Sequence, residues 1–511
     1  MENIQDEVSN EDQNQTYSAN PNQPIKSVGE FGPLVAGLIL NQQLGATILA
    51  SPGIFVDSGI ILSIILSVVM CLISYYCTIG IIEIDVHDPT RTKLSDHYKH
   101  YLKNFGRYCY DLFNILLLWP VLIGYIVLLG DLLIPCLELL DVTVSSKAGR
   151  GVIIVLCSTI ILFITVTYRK AVPDMRKYNR PDIFSKFISI ETFLTCCWFL
   201  LVLFIKSSIY IHKHHAIEPT CKVIKADIKL FNSISIYSLC YALPSVFLTK
   251  IQLYKINVDD DHELIKRRKL VTLGGIFLVF LFMTVPALMG YLFLGESTNG
   301  NVLNNFSNGD AMIVIMRIAY TVSVTGSYVF ISDTVNEMFL DLFKCDGNSN
   351  DDDNNNRENE SSEKKELPNI SEEGEEVYRL PELDVIQSGI NYGDQNEPEN
   401  DENEEIRNLE KDTKCQRVAK TVSAFIISTI LPVILATIFP QVKPVLGIAG
   451  SLGGCMVDFT LPSALYFIYR KKTNSSTLVQ QILCIICFIF GFVSAVIATW
   501  QAVIGVIDSF K

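Results

Sequence analysis

Apolar residues in this chain come in long uninterrupted runs, without the short alternation of strands or the three-four spacing of surface helices. Eleven such runs fall at about 32–56, 59–82, 108–138, 150–168, 183–208, 233–254, 270–294, 311–340, 416–438, 443–469 and 477–505. About 20 apolar residues at ~1.5 Å each span the ~30 Å hydrocarbon layer of a bilayer. Each run therefore predicts a transmembrane helix, because lipid leaves backbone polar groups no partner outside a helix or a closed barrel. The ten-residue alternating segments of a barrel are absent. The pattern predicts an all-α integral membrane protein with eleven spans.

The polar joints orient the spans. Arg91, Lys93, Lys99, Lys103 and Arg107 follow span 2; Arg169, Lys170, Arg176, Lys177 and Arg180 follow span 4. Lys255, Lys266, Arg267, Arg268 and Lys269 follow span 6, and Arg470, Lys471 and Lys472 follow span 10. With eleven spans these clusters share one side, which the positive-inside rule makes cytoplasmic together with the amino terminus. The joint at 206–232 runs against the rule, since it holds Lys206, Lys213, Lys222, Lys225 and Lys229 on the opposite side.

Charge sharpens the division. The 511 residues carry a net −13, yet residues 345–414 alone hold 23 acidic against 7 basic residues and residues 1–30 hold 6 against 1. The hydrophobic body is thus basic. We expect 1–30 to be a disordered acidic cytoplasmic tail, 31–344 to hold spans 1–8, 345–414 to be a disordered acidic cytoplasmic insert, and 415–507 to hold spans 9–11. The plain reading of the insert is a spacer; the sharper one is a segment that binds a cytosolic partner, with Ser361, Ser362 and Ser371 set among acids. The polar start carries no basic n-region, so the first run is expected to act as insertion signal. Nearly all the cysteines lie inside apolar runs and read as small hydrophobes. Charged residues make up only 19%, no basic patch interleaves with aromatics, and no nucleophile–base pair or metal motif stands out. A soluble enzyme and a nucleic-acid-binding protein are excluded on these grounds.

The first span is unusually polar, reading Asn41-Gln42-Gln43-Leu44-Gly45-Ala46-Thr47, then Ser51-Pro52-Gly53. Polar groups in hydrocarbon need partners, and Gly and Pro-Gly break helices. Together they predict a discontinuous helix at mid-membrane, with freed carbonyls for a cation and a half-helix N-terminus for a carboxylate. Close helix packing through small residues is the plainer alternative. Span 6 holds Ser233, Ser235, Tyr237, Ser238, Cys240, Tyr241 and Pro244, five spans further on, where an inverted repeat would place its second break.

The stretch N-x3-G-x-T-I-L-x-x-P at Asn41–Pro52 resembles the first-helix signature of the amino acid/auxin permease family, also called the transmembrane amino acid transporter family. Tyr125 to Gly130-Asp131, Gly290-Tyr291-Leu292 to Gly295-Glu296 with Asn301 and Leu303, and Gly447, Gly450 and Phe459 to Pro462 resemble its later motifs, in order, across about 25–344 and 415–505. Three positions depart from it. Thr47 stands where a second glycine is usual, Cys240-Tyr241 where many animal members carry Cys-His, and Val329 near the usual span-8 proline. The resemblance implies a LeuT-like fold of two inverted five-helix repeats plus an eleventh helix, and transport of small amino acids coupled to Na⁺ or H⁺. It assigns substrate contacts to Gly45, Ala46, Thr47, Cys240 and Tyr241, and a Na⁺ site to Asn41 and Thr325 with Ser323 beside it.

Ionisable groups at membrane depth are costly unless paired or facing water. Glu191 and Asp458 are candidates for a proton relay, with ion pairing to Arg317 as the alternative, while Asp131 and Asp333 are expected near solvated helix ends. Asn305 heads the sequon that the orientation places outside. The reading is a secondary active transporter in the plasma membrane or a vacuolar or endolysosomal membrane, needing no resident cofactor beyond the coupling ion. Its rivals are a non-transporting amino acid sensor of the same fold and a channel.

Overall fold

The computed structural model describes residues 43–45, 47–89, 91, 93–140, 147–177, 183–245, 261–345, 418–439 and 441–509. The acidic tail and nearly all of the 345–414 insert lie outside these residues. Every regular element among the described residues is helical. They are α1 (Thr47–Ala50), α2 (Pro52–Ser58), α3 (Ile60–His87), α4 (Leu94–Glu138), α5 (Lys147–Lys177), α6 (Ile183–His214) and α7 (Leu230–Cys240). There follow α8 (Asp261–Leu294), α9 (Ala311–Cys345), α10 (Leu431–Ile438), α11 (Val442–Ile448), α12 (Leu461–Lys472) and α13 (Leu478–Ser509).

Nine helices among the described residues are long and apolar enough to cross a membrane: 60–87, 94–138, 149–171, 186–214, 261–297, 311–342, 418–438, 442–472 and 478–508. Predicted spans 1 and 6 are not among them: 32–42 and 246–254 lie outside the described residues, and what is described of each is interrupted. Side chains such as Leu72 (60% exposed), Phe163 (73%) and Trp500 (66%) form an apolar outer surface that only lipid would tolerate.

Contacts divide the chain into two units. The larger, 1–335 with 429–511, holds every site discussed below; in the smaller, Asn336–Ser428, the Ser428 hydroxyl donates to Asn336 Oδ1 at 3.4 Å.

The joint after span 2 is not the plain polar loop that its lysines suggested. Leu94, His97 and Tyr98 are buried, at the i, i+3, i+4 spacing of a helix face. The chain is helical from Leu94 and breaks at Lys103, whose φ of 59° is left-handed, so that Tyr98 folds back onto Tyr110 with ring centroids 4.8 Å apart. Further along, a π-helical stretch, Ala449–Thr460, joins α11 to α12. It carries Gly450, Gly453 and Gly454 of predicted span 10, while Gly447 lies in α11.

Candidate functional site

Two interrupted helices meet in the middle of the larger unit. The first turns at Gly45, resumes as α1, turns again at Ser51 and continues as α2. Its sequence dictates this: Pro52 has no N–H to give the preceding turn. Hydroxyls take up some of the carbonyls. Thr47 Oγ1 donates to the carbonyls of Gln43 (3.1 Å) and Leu44 (2.9 Å), and Ser51 Oγ to that of Ile48 (2.7 Å). Gly45 faces span 3, where an added β-carbon would lie 2.5 Å from the Tyr125 hydroxyl oxygen. Glycine is what lets that tyrosine approach the break.

The second interruption follows Cys240. Tyr241 leaves the helix (φ −100°, ψ 25°), Ala242 is irregular, and helix resumes over 243–245. With its amide oriented to satisfy both neighbours, Gln43 donates Nε2 to the Cys240 carbonyl at 3.3 Å and accepts from the Leu243 N–H at 3.1 Å. A side chain of one broken helix thus fills the backbone gap of the other. Between them lies a cavity of about 40 Å³, lined by Gln43, Thr47, Leu117, Tyr125, Ala242 and Ser245 among others. A larger hollow of about 100 Å³ sits elsewhere, against Val155, Leu162, Tyr328 and Val433. Its walls are mostly apolar and offer a zwitterion little.

The sequence-derived substrate residues divide between cavity and scaffold. Thr47 lines the cavity and Gly45 backs it. The Tyr241 hydroxyl bonds Ser67 Oγ (2.7 Å), which in turn meets Thr284 Oγ1 (2.7 Å), while the Tyr241 carbonyl accepts from Ser74 Oγ (2.6 Å). Cys240 Sγ contacts Met283 Sδ at 3.5 Å. These side chains anchor the break to α3 and α8. Ala46 lies outside the described residues. Gln43 and Tyr125, which do line the cavity, stood inside quoted motifs without a role. Ser67 carried no signal, being one serine in an apolar run.

Of the glycines of predicted span 10, Gly450 and Gly454 serve contact with α7, while Gly453 lies against Leu117 of α4 and Gly447 against Ala502 of α13. A β-carbon on Gly450 would fall 1.8 Å from the Ser235 carbonyl oxygen, and Ser238 Oγ donates to the Gly450 carbonyl. Near the end of the π-helical turn Asp458 is wholly buried; its Oδ1 accepts from the Ser245 N–H at 3.2 Å, at the resumed part of span 6.

Two of the remaining candidates, Glu191 on α6 and Ser323 on α9, are neighbours, with the Ser323 and Thr192 hydroxyls beside the carboxylate. Glu191 Oε1 accepts from Thr195 Oγ1 at 2.7 Å within α6. Thr192 of the same helix meets Ser323 Oγ at 2.7 Å. Thr325 donates to the Thr321 carbonyl of its own helix at 2.7 Å. Ser323 and Thr325 are two residues apart on α9, a spacing that does not share a face. Asn41 lies outside the described residues. Arg317 is buried, but it pairs with neither Glu191 nor Asp458. Its Nη1 donates to Asn308 Oδ1 (3.1 Å) and its Nη2 to the Leu303 carbonyl (3.0 Å), tying down the turn after span 7. Asp131 and Asp333 are ion-paired rather than simply solvated, with Arg150 at 2.9 Å and Arg169 at 3.2 Å.

Ion pairs close both ends of this bundle. At the lysine- and arginine-rich end, Glu83 accepts from Lys269 (2.8 Å), Arg470 (2.6 Å) and the Tyr466 hydroxyl (2.7 Å), and Asp85 pairs with Arg268 (2.7 Å). At the other end Lys443 pairs with Asp57 (2.9 Å). There too the anomalous lysines of 206–232 find acids: Lys222 and Lys225 meet Glu296 (2.7 and 3.7 Å), and Lys206 meets Asp310. The Lys206 ammonium beside Asp310 holds its carboxyl below the usual carboxylate range. These three lysines answer local carboxylates, which explains their place against the orientation rule.

No curated protein matches the chain. A family model does: residues 34–504 match the one described as transmembrane amino acid transporter protein, a span that includes both interrupted helices, Tyr125 and the glycine-rich turn. With most of its length matched, this multi-pass chain, helical in every regular element among its described residues, belongs to the transmembrane amino acid transporter family.

Proposed function

We propose that the protein is a secondary active transporter of small neutral amino acids, coupled to Na⁺ or H⁺ and working by alternating access. In this reading the nine long helices and the two interrupted segments are eleven spans, arranged as two inverted five-helix repeats plus one further helix. The observation that carries it is the meeting of the breaks in spans 1 and 6, bridged by Gln43. Breaks at repeat-related positions bring loose backbone carbonyls and half-helix N-termini together, a match for the ammonium and carboxylate of a zwitterion. The small cavity beside Thr47 and Tyr125 favours a small side chain.

The amino terminus is cytoplasmic in this reading, and the membrane is the plasma membrane or a vacuolar or endolysosomal one. Asn41, Thr325 and Ser323 are the sodium candidates; Glu191 and Asp458 are the proton candidates. The insert 345–414 serves a cytosolic partner. Uptake of a radiolabelled mixture of neutral L-amino acids into proteoliposomes containing the full chain tests the function. Accumulation against a concentration gradient, driven by an imposed Na⁺ or pH gradient, is the expected result. Absence of both accumulation and exchange would refute it.

A further inference from the structure

Asp458 has no exposed surface, and only one of its oxygens is engaged. Oδ1 takes the Ser245 N–H, while Oδ2 has no partner, and among the described residues no cationic side chain pairs with it. One neutral N–H and the neighbouring Ser245 hydroxyl return far less than the cost of a carboxylate without a cation in an apolar interior. Such a group is tolerated when it takes up a cation for part of a working cycle. The surroundings suit a proton better than a metal. A hard metal ion needs a shell of several oxygens, whereas Asp458 faces the Ser245 N–H, the single hydroxyl of Ser245 and, on its own helix, the Cys455 thiol. A proton needs only the one free lone pair.

Four further orphaned polar atoms belong to α4, the helix whose Tyr98 and Tyr110 lie within electrostatic reach of Asp458. His97 Nδ1 and Nε2, Tyr98 Oη and Asn114 Oδ1 are buried on α4 without hydrogen-bond partners. Buried polar groups are satisfied by protein or by ordered water, so these α4 atoms are the ones that a track of ordered water would use. One end is fixed: His97 Nε2 lies 3.8 Å from Asp85, itself bonded to Arg268 at the basic end. Tyr98 then stacks on Tyr110, whose hydroxyl accepts from Asn114 Nδ2 at 3.3 Å. Both tyrosines lie within electrostatic reach of Asp458. The titratable groups around the carboxylate are therefore Tyr98 and Tyr110 from α4, with Asp111 behind Tyr110, Cys77 from α3, Cys487 from α13 behind Cys77, and Cys455. None of them is a cation that would hold the carboxylate ionised.

We propose that Asp458 is the proton-binding group that couples substrate movement to a pH gradient, exchanging protons with the basic end along His97, Tyr98 and Tyr110. The proposal rests on the transporter reading above. The step is a simple transfer: a hydronium in the track gives its proton to Oδ2 and becomes water, and the reverse releases it. Protonation also turns a charge-assisted Ser245 N–H bond into a weaker neutral one. That loosens the resumed half of span 6 from the glycine-rich turn, so proton occupancy acts directly on the break beside the cavity.

The test uses the full chain in proteoliposomes loaded with pyranine, with a radiolabelled mixture of neutral L-amino acids as probe. For one proton per substrate, an inward gradient of one pH unit sustains about tenfold accumulation in the wild type, with internal acidification on amino acid addition. D458N, which keeps an oxygen for the Ser245 N–H, brings accumulation to about onefold and removes the acidification; D458E restores a pH response. D458N accumulating like the wild type with the same pH profile overturns the proposal. Infrared difference spectra of wild-type protein without substrate give a reading independent of transport and of variant folding. A buried carboxylic-acid C=O band that titrates, and is lost in monodisperse D458N, supports the site; no titrating band overturns it. A titrating Asp458 band in a wild type that neither accumulates nor exchanges amino acids would sink the transporter reading and leave the proton site standing.

Discussion

Gln43 offers the sharpest test of the cavity's architecture. Gln43→Leu keeps the bulk of the side chain and removes both hydrogen bonds to the gap in span 6, at 3.3 Å to the Cys240 carbonyl and 3.1 Å to the Leu243 N–H. Hydrogen bonds between membrane helices average about 0.6 kcal/mol, with about 1.7 kcal/mol at the top of the range. The substitution also leaves a buried carbonyl and a buried N–H without partners, a cost of about 1–3 kcal/mol on the scale of unsatisfied groups. A net loss of about 2 kcal/mol corresponds to roughly thirtyfold. We expect it in the substrate concentration giving half-maximal exchange, because Gln43 holds the backbone that faces the cavity. Gln43→Glu keeps the acceptor for Leu243 but not the donor for Cys240, and should fall between Leu and the wild type. The assay is exchange of labelled neutral amino acids over a concentration series in proteoliposomes, with thermal unfolding of the same preparations measured alongside. Half-saturation within twofold of the wild type for Gln43→Leu would refute the bridging role. Equal losses in stability and affinity for Leu and Glu would show that side-chain volume, rather than the two bonds, matters.

Four further outcomes are expected. Gly450→Ala places a methyl 1.8 Å from a backbone oxygen that cannot swing aside; overpacking at ordinary sites costs about 1–3 kcal/mol, so this variant should give little monodisperse protein, and normal yield would contradict the contact. Asp310→Asn should lower the unfolding free energy at pH 7 by the modest amount of a part-exposed pair, about 0.2–1 kcal/mol. Because the Asp310 carboxyl sits below its usual range, its contribution is present above about pH 4 and fades as pH falls further, so the difference from wild type should vanish in acid; a constant difference refutes the pairing. Glycan mapping should find sugar at Asn305, whose Nδ2 donates to the Ser297 carbonyl at 2.8 Å, or nowhere; a glycan on Asn359 or Asn474 would overturn the orientation. Deleting residues 350–410 should leave membrane insertion and substrate affinity intact, since that composition supports no packed core; loss of insertion would show otherwise.

The sequence alone determined the helical class, the approximate spans and the places where two of them break. Those features are local: bilayer thickness sets run length, and Gly45, Pro52 and the polar stretch ending at Cys240-Tyr241 act on the backbone where they stand. The family was legible for a related reason, since its motifs mark positions where backbones must come close, as Gly45 does to Tyr125 and Gly450 to Ser235. What each polar side chain does was decided only in three dimensions. In an apolar run, one serine, glutamine or aspartate looks like another until its partner on a distant helix is known. Gln43 bridges Cys240 and Leu243, Tyr241 turns to Ser67, and Asp458 reaches Ser245. Lysines at 206–232 read as a breach of the orientation rule because sequence counts charges by loop, while Glu296 and Asp310 come from another loop altogether. The segment after span 2 looked like a plain polar connection because its charges outnumber its apolar residues. It is a helix that buries Leu94, His97 and Tyr98 and folds against Tyr110, since neighbouring packing, rather than average hydropathy, sets the fate of a short segment.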